Sequence, residues 1–371
     1  MIPPSQSPSE TVVHHPSVLK VPRRTRLLPP GYFIEFGGAI TRNAWVDRPA
    51  APASDIATEC EAPATPEFGE EYFEWTDLLE AIEGATRGSF VIVELGAGHG
   101  RWSVRGLLGA RAAGLSGHCV AVEADPTHAR WLRQHFLDND VRPDDHELVW
   151  AAIGPEAGFV PFRTGTTSAH YGQYVSKRTN ATYPTVSERR RLRARAVLGR
   201  PPRSSDEARE SMWVPCLSLP ELLAPYPVVD LLDTDIQGAE LGVLAAAMHS
   251  LNTRVRRVHV GTHSAEIEQG LRQLFTAHGW HCLHDYPGQS VTATPYGPIR
   301  FIDGVQSWSN PGMGGAEDAS TGAPAPGSGE VERLAERVRV LKKKVSRLAA
   351  ERDELKQRLL GRSEGSTATG D

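Results

Sequence analysis

The sequence predicts an α/β protein built on a doubly wound, mainly parallel sheet. From residue 89 onward, apolar strand-like segments alternate with helix-like segments, which is the pattern of a parallel sheet covered on both faces. The first of these strands runs directly into a glycine-rich turn at residues 95–100. Ligands of such sheets bind beyond the carboxyl ends of the strands, so we look for a site there.

Residues 1–66 are predicted to lie outside the main domain. About the first 30 residues are rich in Pro and Ser, and we predict a disordered arm. Residues 31–46 contain enough apolar side chains for a strand or hairpin, and residues 49–66 have the Ala and Pro content of connecting chain.

Residues 67–309 form the predicted main domain, which begins with a helix ending near Gly84. Strands are predicted at 89–95, 118–124, 146–154, 228–236, 254–263, 280–286 and 298–304. Helices are predicted between them at 101–114, 125–139, 238–251 and 264–279. Asp125 followed by Pro126 is a typical helix start.

A long interruption, residues 160–215, separates the third strand from the fourth. Its segment 188–203 is rich in arginine, with seven arginines between residues 189 and 203. Such a run either holds an anionic substrate or is a solvated helix face, and the adjoining Pro-Pro and Ser-Ser favour the second interpretation.

The C-terminal part divides into a flexible linker at 310–329, a coiled coil at 330–361 and a disordered tail at 362–371. Valine occupies most a positions of the heptads and leucine the d positions, with Arg352 interrupting the a series. This pattern predicts a homodimer or a complex with a partner protein. The alternative is one amphipathic helix that folds back on the main domain.

Composition excludes several classes of protein. The net charge of -5 and the pI of about 6.3 argue against a nucleic-acid partner. No segment reaches the roughly 18 apolar residues of a membrane span, and no signal peptide is recognisable. We therefore expect a cytoplasmic protein. The four cysteines are far apart in sequence, which argues against a zinc site built on them.

The glycine turn restricts the ligand. It contains Gly96, Ala97, Gly98 and Gly100, and no lysine follows as a P-loop requires. The third glycine is one residue early for a dinucleotide turn. Glu94 lies two residues before the first glycine, where a pyrophosphate would meet a negative charge. A ligand with positive charge fits better, and S-adenosyl-L-methionine carries a sulfonium and an ammonium group.

The second strand ends at Glu123 and Ala124. An acidic residue in this place accepts the hydroxyls of a ribose in either cofactor class. Trp102, directly after the turn, either flanks the adenine or belongs to the core. Together with the turn, these residues predict an S-adenosyl-L-methionine site.

With the segment 231–244, "LLDTDIQGAELGVL", the chain resembles the FkbM family of S-adenosyl-L-methionine-dependent methyltransferases. Asp235 and the run Gln237 to Glu240 match the family signature, and residues 93–100 match its cofactor loop. The resemblance covers about residues 70–306 and implies a Rossmann-like class I methyltransferase sheet. It also implies methylation of hydroxyl groups on sugars or polyketide-derived products. Many members carry Lys where this chain has Asp233, so the charge there is reversed.

Three residues are the catalytic candidates. Asp235 and Asp233 lie on one side of a strand and either share a proton, hold Mg²⁺, or cap the following helix at Gly238. His263, after the next strand, is a candidate general base with a near-neutral pKa. Its alternative is to fill a turn in which Ser264 caps the helix.

The sequence therefore predicts an O-methyltransferase that acts on a small-molecule or glycan hydroxyl. Two other classes stay open. One is a nicotinamide-dependent oxidoreductase on the same fold. The other is a non-catalytic scaffold whose coiled coil is the working part and whose methyltransferase-like core only binds ligand.

Overall fold

The computed structural model describes residues 13–46, 56–86, 88–164, 174–175, 182–202 and 211–313. Residues 1–317 form one compact unit, and residues 318–371 form a second. The second unit lies wholly outside the described residues. The predictions of a coiled coil at 330–361 and a disordered tail at 362–371, and nearly all of the predicted linker, therefore fall outside them as well.

In chain order the strands are β1 Thr25–Leu28, β2 Tyr32–Ile34, β3 Ile40–Arg42, β4 Thr58–Glu61, β5 Ser89–Leu95, β6 Ser116–Glu123, β7 Glu147–Trp150, β8 Ala152–Gly154, β9 Gly158–Arg163, β10 Tyr174–Val175, β11 Ser211–Ser218, β12 Leu231–Thr234, β13 Arg257–Thr262, β14 His281–Tyr286, β15 Ser290–Thr294, β16 Gly297–Phe301 and β17 Gly304–Ser309. The helices are α1 Pro16–Leu19, α2 Glu71–Glu83, α3 Arg101–Ala112, α4 Pro126–Asp138, α5 Val186–Val197, α6 Leu219–Leu223, α7 Glu240–Arg254 and α8 Ala265–Ala277. No helix among the described residues is long and apolar enough to cross a membrane.

The central sheet has seven strands in the order β14-β17-β13-β12-β5-β6-β7. The five strands from β13 to β7 are parallel, and β17 runs antiparallel to both of its neighbours. This is the predicted α/β architecture with a mostly parallel sheet.

Both faces of the sheet are covered. Successive side chains of a strand point to opposite faces. In β5, Val93 packs in the cluster that contains Leu244 of α7, whereas Ile92 packs with Leu78 of α2 and Leu107 of α3. A strand buried on both faces reads as a continuous apolar run, which is why "FVIV" is recognisable in the sequence.

The chain reverses its direction of travel across the sheet between β5 and β12. It proceeds from β5 to β6 and β7 on one side, and then crosses back to place β12 on the other side of β5. In an open α/β sheet such a switch point leaves a crevice beyond the carboxyl ends of the strands. The glycine turn, Glu94 and Asp233 all lie at this switch point.

The prediction of a disordered arm is wrong for residues 13–30. Val18 of α1 and Leu28 of β1 are buried, and β1 pairs with β4 in what was expected to be connecting chain. A few apolar residues within a polar, Pro-rich stretch are enough to dock it. The hairpin expected at 31–46 is present as β2 and β3. Residues 1–12 lie outside the described residues.

The interruption and the end of the sheet also differ from expectation. The third predicted strand divides into β7 in the central sheet and β8 in a second sheet with β9, β10 and β11. The arginine-rich segment contains α5, a largely exposed helix. Residues 298–304 lie mostly in a small β15-β16 hairpin; the strand that enters the central sheet is β17, which periodicity alone did not separate from it.

Candidate functional site

A cleft lies at the carboxyl ends of β5, β6 and β12. Its walls combine acidic side chains, aromatic rings and the backbone of the glycine turn. The carboxylates that line it are Glu74, Glu94, Glu123, Asp233 and Asp235. The aromatic side chains are Trp45, Trp102, Trp131 and Phe162, and the turn contributes Gly96, Ala97 and Gly98.

The three glycines of the turn have different reasons to be glycine. All have positive φ, but a Cβ at Gly96 would lie 1.8 Å from the backbone oxygen of Asp235, so Gly96 lets β5 and β12 end in contact. A Cβ at Gly100 would lie 2.2 Å from Leu132 Cδ1, which makes Gly100 a packing residue that does not line the cleft. Gly98 faces open space, and it is the glycine that a ligand would approach.

Glu94 is buried and binds the start of α3. Its Oε1 accepts a hydrogen bond from Trp102 N at 3.1 Å, and its Oε2 accepts one from Ser103 N at 2.9 Å and one from Ser103 Oγ. Burial raises the pKa of Glu94, and these hydrogen bonds oppose the rise. Glu94 therefore accepts hydrogen bonds from the amides at the start of α3, which in other folds bind phosphate.

Glu123 is held at the end of β6 by two backbone amides. Its Oε2 accepts from Gly98 N at 2.7 Å, and its Oε1 accepts from Asp125 N at 2.6 Å. Burial raises the pKa of Glu123 to about 8. Ala124 also lines the cleft, and its carbonyl accepts a hydrogen bond from Nε1 of the fully buried Trp150. Trp150 is thus a core residue.

The aromatic wall of the cleft includes a residue from the N-terminal segment. Trp45, just after β3, stacks on Trp131 of α4 with ring centroids 5.8 Å apart, and it contacts the ring of His99 at 5.7 Å. Trp102 forms the opposite part of the wall under the guanidinium of Arg105, which lies 4.2 Å from its ring centroid. Trp102 is therefore both packed and accessible from the cleft.

Glu74, Asp233 and His259 form what we call the floor group. One potential ligand atom of each lies within 4.8 Å of those of the other two. Glu74 comes from α2, while Asp233 and His259 are direct partners across β12 and β13. Burial, followed by the charges of neighbouring carboxylates, raises the pKa of Glu74 and of Asp233 well above the usual range.

Asp235, Glu240 and His263 form a second set of the same composition, the rim group. His263 Nε2 lies 3.2 Å from Asp235 Oδ1, and His263 Nδ1 lies 3.0 Å from Glu240 Oε1. Glu240 Oε1 also accepts hydrogen bonds from the amides of Ile236 and Gly238. Asp235 and Glu240 therefore connect the turn between β12 and α7 with His263, which follows β13.

Several predictions for the catalytic candidates need correction. Burial lowers the pKa of His263, but Asp235 and Glu240 outweigh it and raise the pKa to about 10, which favours the protonated imidazole at neutral pH over a general base. Asp233 and Asp235 belong to different groups instead of one Mg²⁺ pair. Glu240, and neither aspartate, binds the Gly238 amide. Ser264 does cap α8.

Sequence reasoning missed Glu74, His259 and Trp45. Glu74 is an acid beside the apolar face of α2, and His259 interrupts the apolar run of β13 in "VHV". These two polar residues in otherwise apolar patterns were the only features of the sequence that could have indicated the floor group. Trp45 carried none, because the hairpin region was expected to pack on the domain without reaching a site.

An acidic cleft at the switch point of an α/β sheet, with a glycine turn beside it, is the place where ligands of this fold class bind. The family model described as "Methyltransferase FkbM domain" matches residues 94–279. The chain therefore belongs to the FkbM methyltransferase family, and this membership implies S-adenosyl-L-methionine as the cofactor. A relative from Jannaschia sp. (strain CCS1), named "Putative methyltransferase", is 25% identical over 65% of this chain and 79% of its own.

Two solved structures are similar at low identity. The FkbM methyltransferase from Methylobacillus flagellatus KT is 13% identical, with 64% of this chain and 50% of that chain covered at a TM-score of 0.36. The precorrin-6y C5,15-methyltransferase from Geobacter metallireducens GS-15 is 12% identical, with 62% and 86% covered at a TM-score of 0.33.

Proposed function

We propose that the protein is an S-adenosyl-L-methionine-dependent O-methyltransferase whose acceptor is a hydroxyl of a sugar or a polyketide-type secondary metabolite. The observation that carries the cofactor class is the position of Glu94. Its carboxylate lies beside the glycine turn and occupies the amides at the start of α3. The ligand of this cleft therefore meets negative charge where a dinucleotide needs hydrogen-bond donors.

The same observation argues against a nicotinamide cofactor. A pyrophosphate binds at a helix N-terminus because free amides point at it and the helix dipole favours negative charge. Here Glu94 takes the amides of Trp102 and Ser103. Five carboxylates line the cleft, together with one guanidinium, that of Arg101, which pairs with Glu71. Burial raises the pKa of several of these carboxyls, among them Glu123 and Asp233, and a cationic nucleoside favours their ionised forms whereas a pyrophosphate opposes them.

The residues of the cleft fit S-adenosyl-L-methionine. Gly98 has room on the side where a Cβ would stand, so its backbone can lie against the ligand. Glu123 and Trp102 both line the cleft, and in this proposal Glu123 accepts the ribose hydroxyls while Trp102 contacts the adenine. When bound, the cofactor supplies an activated methyl group. The chain's own part is to orient the two substrates, which accounts for much of the acceleration in such reactions.

Asp235 is the proposed acceptor of the hydroxyl proton. Its side chain is 46% exposed and lines the cleft. Oδ1 accepts a hydrogen bond from Gln237 Nε2 and lies beside His263, whereas no donor in the described part of the chain reaches Oδ2. His263 and Gln237 therefore hold the carboxylate in place and leave one oxygen for a substrate hydroxyl.

A matched pair of glycine variants tests the cofactor site. Gly98 and Gly114 both have positive φ, and a Cβ would meet nothing within 4 Å at either position, but only Gly98 lines the cleft. We expect Gly98→Val and Gly114→Val to lose similar stability, about 1–2 kcal/mol from the left-handed backbone. Only Gly98→Val should lose binding of S-adenosylhomocysteine in calorimetry.

Calorimetry with NAD serves as the competing arm. Binding of NAD without S-adenosylhomocysteine by the folded wild-type protein would replace the proposal with an oxidoreductase. If S-adenosylhomocysteine binds, a panel of sugars and polyketides with free or blocked hydroxyls tests the acceptor. Methylation that persists on hydroxyl-blocked compounds would contradict transfer to oxygen.

A further inference from the structure

The floor group has the ligand arrangement of a metal site. His259 is 1% exposed. Its Nδ1 lies 2.7 Å from Asp77 Oδ2, while Nε2 has no hydrogen-bond partner in the described part of the chain and lies 3.9 Å from Glu74 Oε1. With Nδ1–H donating to Asp77, the lone pair of Nε2 points into the group. A metal-bound histidine is typically held in this way through its other ring nitrogen.

Asp77 is built to fix that histidine. Its Oδ1 accepts a hydrogen bond from Arg257 Nη1 at 2.6 Å, and its Oδ2 also accepts one from Ser307 Oγ. The residue is 0% exposed, and the hydrogen bonds and charges of His259 and Arg257 hold the pKa of Asp77 low against the effect of burial. The ring of His259 is therefore locked, as the binding geometry of a metal requires.

Among the described residues, neither carboxylate of the group forms an ion pair with a lysine or arginine, and Glu74 has only the 3.9 Å contact with His259. Asp233 is 4% exposed, and burial followed by the charges of Glu94 and Asp235 raises its pKa. The charge of Arg105 favours ionised Glu74, but this guanidinium is already bound by Glu35 and Glu71. Buried charges are normally paired or coordinate a metal.

We propose that Glu74, Asp233 and His259 bind a divalent transition-metal cation at the floor of the cleft. An imidazole nitrogen among the ligands favours a first-row transition metal over Mg²⁺, which prefers oxygen ligands alone. Three protein ligands leave coordination positions open, and Glu74 and Asp233 line the cleft from which they are reached. The role of these positions rests on the proposed function: in an O-methyltransferase they would take the acceptor oxygen.

The rim group is the natural control, because it has the same composition but its histidine lies between two carboxylates, although His263 Nδ1 forms no hydrogen bond within the described part of the chain. Glu240 Oε2 is also buried without a hydrogen-bond partner in the described residues. However, both nitrogens of His263 already face a carboxylate, so its proton supplies the compensating charge. A cation would have to displace that proton and break the contact that holds the turn.

Mn²⁺ is the probe, followed by electron paramagnetic resonance of the free ion in metal-stripped full-length protein. We expect one Mn²⁺ per chain, with Mg²⁺ at least tenfold weaker as a competitor. Asp233→Asn should lower Mn²⁺ affinity by about tenfold or more, and Asp77→Asn by about 10–100-fold, since outer partners of ligands have effects of that size. Asp235→Asn, two residues along the same chain, should keep the stoichiometry.

The absence of Mn²⁺ binding, or an equal loss in Asp235→Asn and Asp233→Asn, would overturn the site. Equal losses would mean that the acidic cleft attracts cations without specific ligands. If Asp77→Asn does not fold, Asp233→Asn alone decides. The titration contains no cofactor and no acceptor, so its result is independent of S-adenosylhomocysteine binding. Failure of the proposed function and failure of the metal site are therefore separate outcomes.

Discussion

Two groups of identical composition lie near the neighbouring strands β12 and β13, and they differ in what the two nitrogens of their histidine contact. In the rim group, His263 lies between Asp235 and Glu240, and each of its nitrogens faces one carboxylate. In the floor group, His259 is turned the other way, since Nδ1 is bound to Asp77 and only Nε2 faces Glu74. Composition alone therefore does not determine what such a cluster does.

The difference arises from which element supplies the third acid. Glu240 begins α7 and also accepts two amides of the preceding turn, so the rim group stabilises the local backbone. Glu74 comes from α2, which precedes all strands of the central sheet in the chain. Among the described residues, it accepts no hydrogen bond from a backbone amide. In the rim group the two carboxylates face a histidine from both sides, whereas in the floor group burial and neighbouring carboxylates raise the pKa of both Glu74 and Asp233.

The largest effect is expected from Glu240→Ala. The variant removes the partner of a buried imidazolium and of two amides, and breaking a buried pair in this way costs about 3–5 kcal/mol. Urea unfolding of the wild-type and variant proteins measures the loss. Glu266→Ala removes an exposed glutamate from the first turn of α8 and should change stability by less than about 1 kcal/mol. A small effect of Glu240→Ala would mean that the rim group does not stabilise the turn.

Asp233→Asn should change the free energy of unfolding in the opposite direction from Glu240→Ala, that is, it should stabilise the protein. A carboxyl whose pKa is raised on folding lowers stability as pH rises above its unfolded value, and the pKa of Asp233 is raised by burial and by the charges of Glu94 and Asp235. In EDTA at pH 8 we expect the variant to be more stable than the wild type by roughly 1 kcal/mol. The gain should vanish near pH 4.

The matched comparison is Asp235→Asn, which removes a partner of His263 and should lower stability. Added Mn²⁺ should stabilise the wild type, because a ligand that binds only the folded state shifts the equilibrium toward it, and it should leave Asp233→Asn unchanged. If both asparagine variants lost stability equally, the two groups would not differ in the way described here.

Local chemistry made part of this structure predictable. The buried run of β5, the glycine turn, the Asp125 cap of α4 and the Ser264 cap of α8 all involve residues within a few positions of one another. Their patterns are therefore visible in one segment of sequence. Glu94 is visible at the end of the strand, but its hydrogen bonds to the start of α3 were not anticipated.

The floor group could not be predicted, because long-range pairing creates it. His259 and Asp77 are 182 residues apart in sequence, and the alignment of His259 with Asp233 depends on the register between β12 and β13. A shift of one residue would point either side chain to the opposite face of the sheet. Trp45 reaches the cleft only because the N-terminal hairpin docks on α4, for which the sequence offers no local signal.

The pH dependence of the rim group tests its ionic character directly. Burial opposes the charge on His263, but Asp235 and Glu240 raise its pKa to about 10, against 6.5 for an ordinary histidine. The folded state therefore holds a proton that the unfolded state releases. The resulting stabilisation is complete below about pH 6.5 and is lost as pH rises through about 10.

His263→Gln should remove this dependence, so its stability difference from the wild type should shrink between pH 6.5 and 10 in urea unfolding. His249→Gln, at an exposed position in α7, should stay parallel to the wild type over the same range. Parallel curves for all three proteins would show that His263 is neutral in the folded state. The rim histidine would then have a nitrogen lone pair available, and the distinction between the two groups would rest on Asp77 alone.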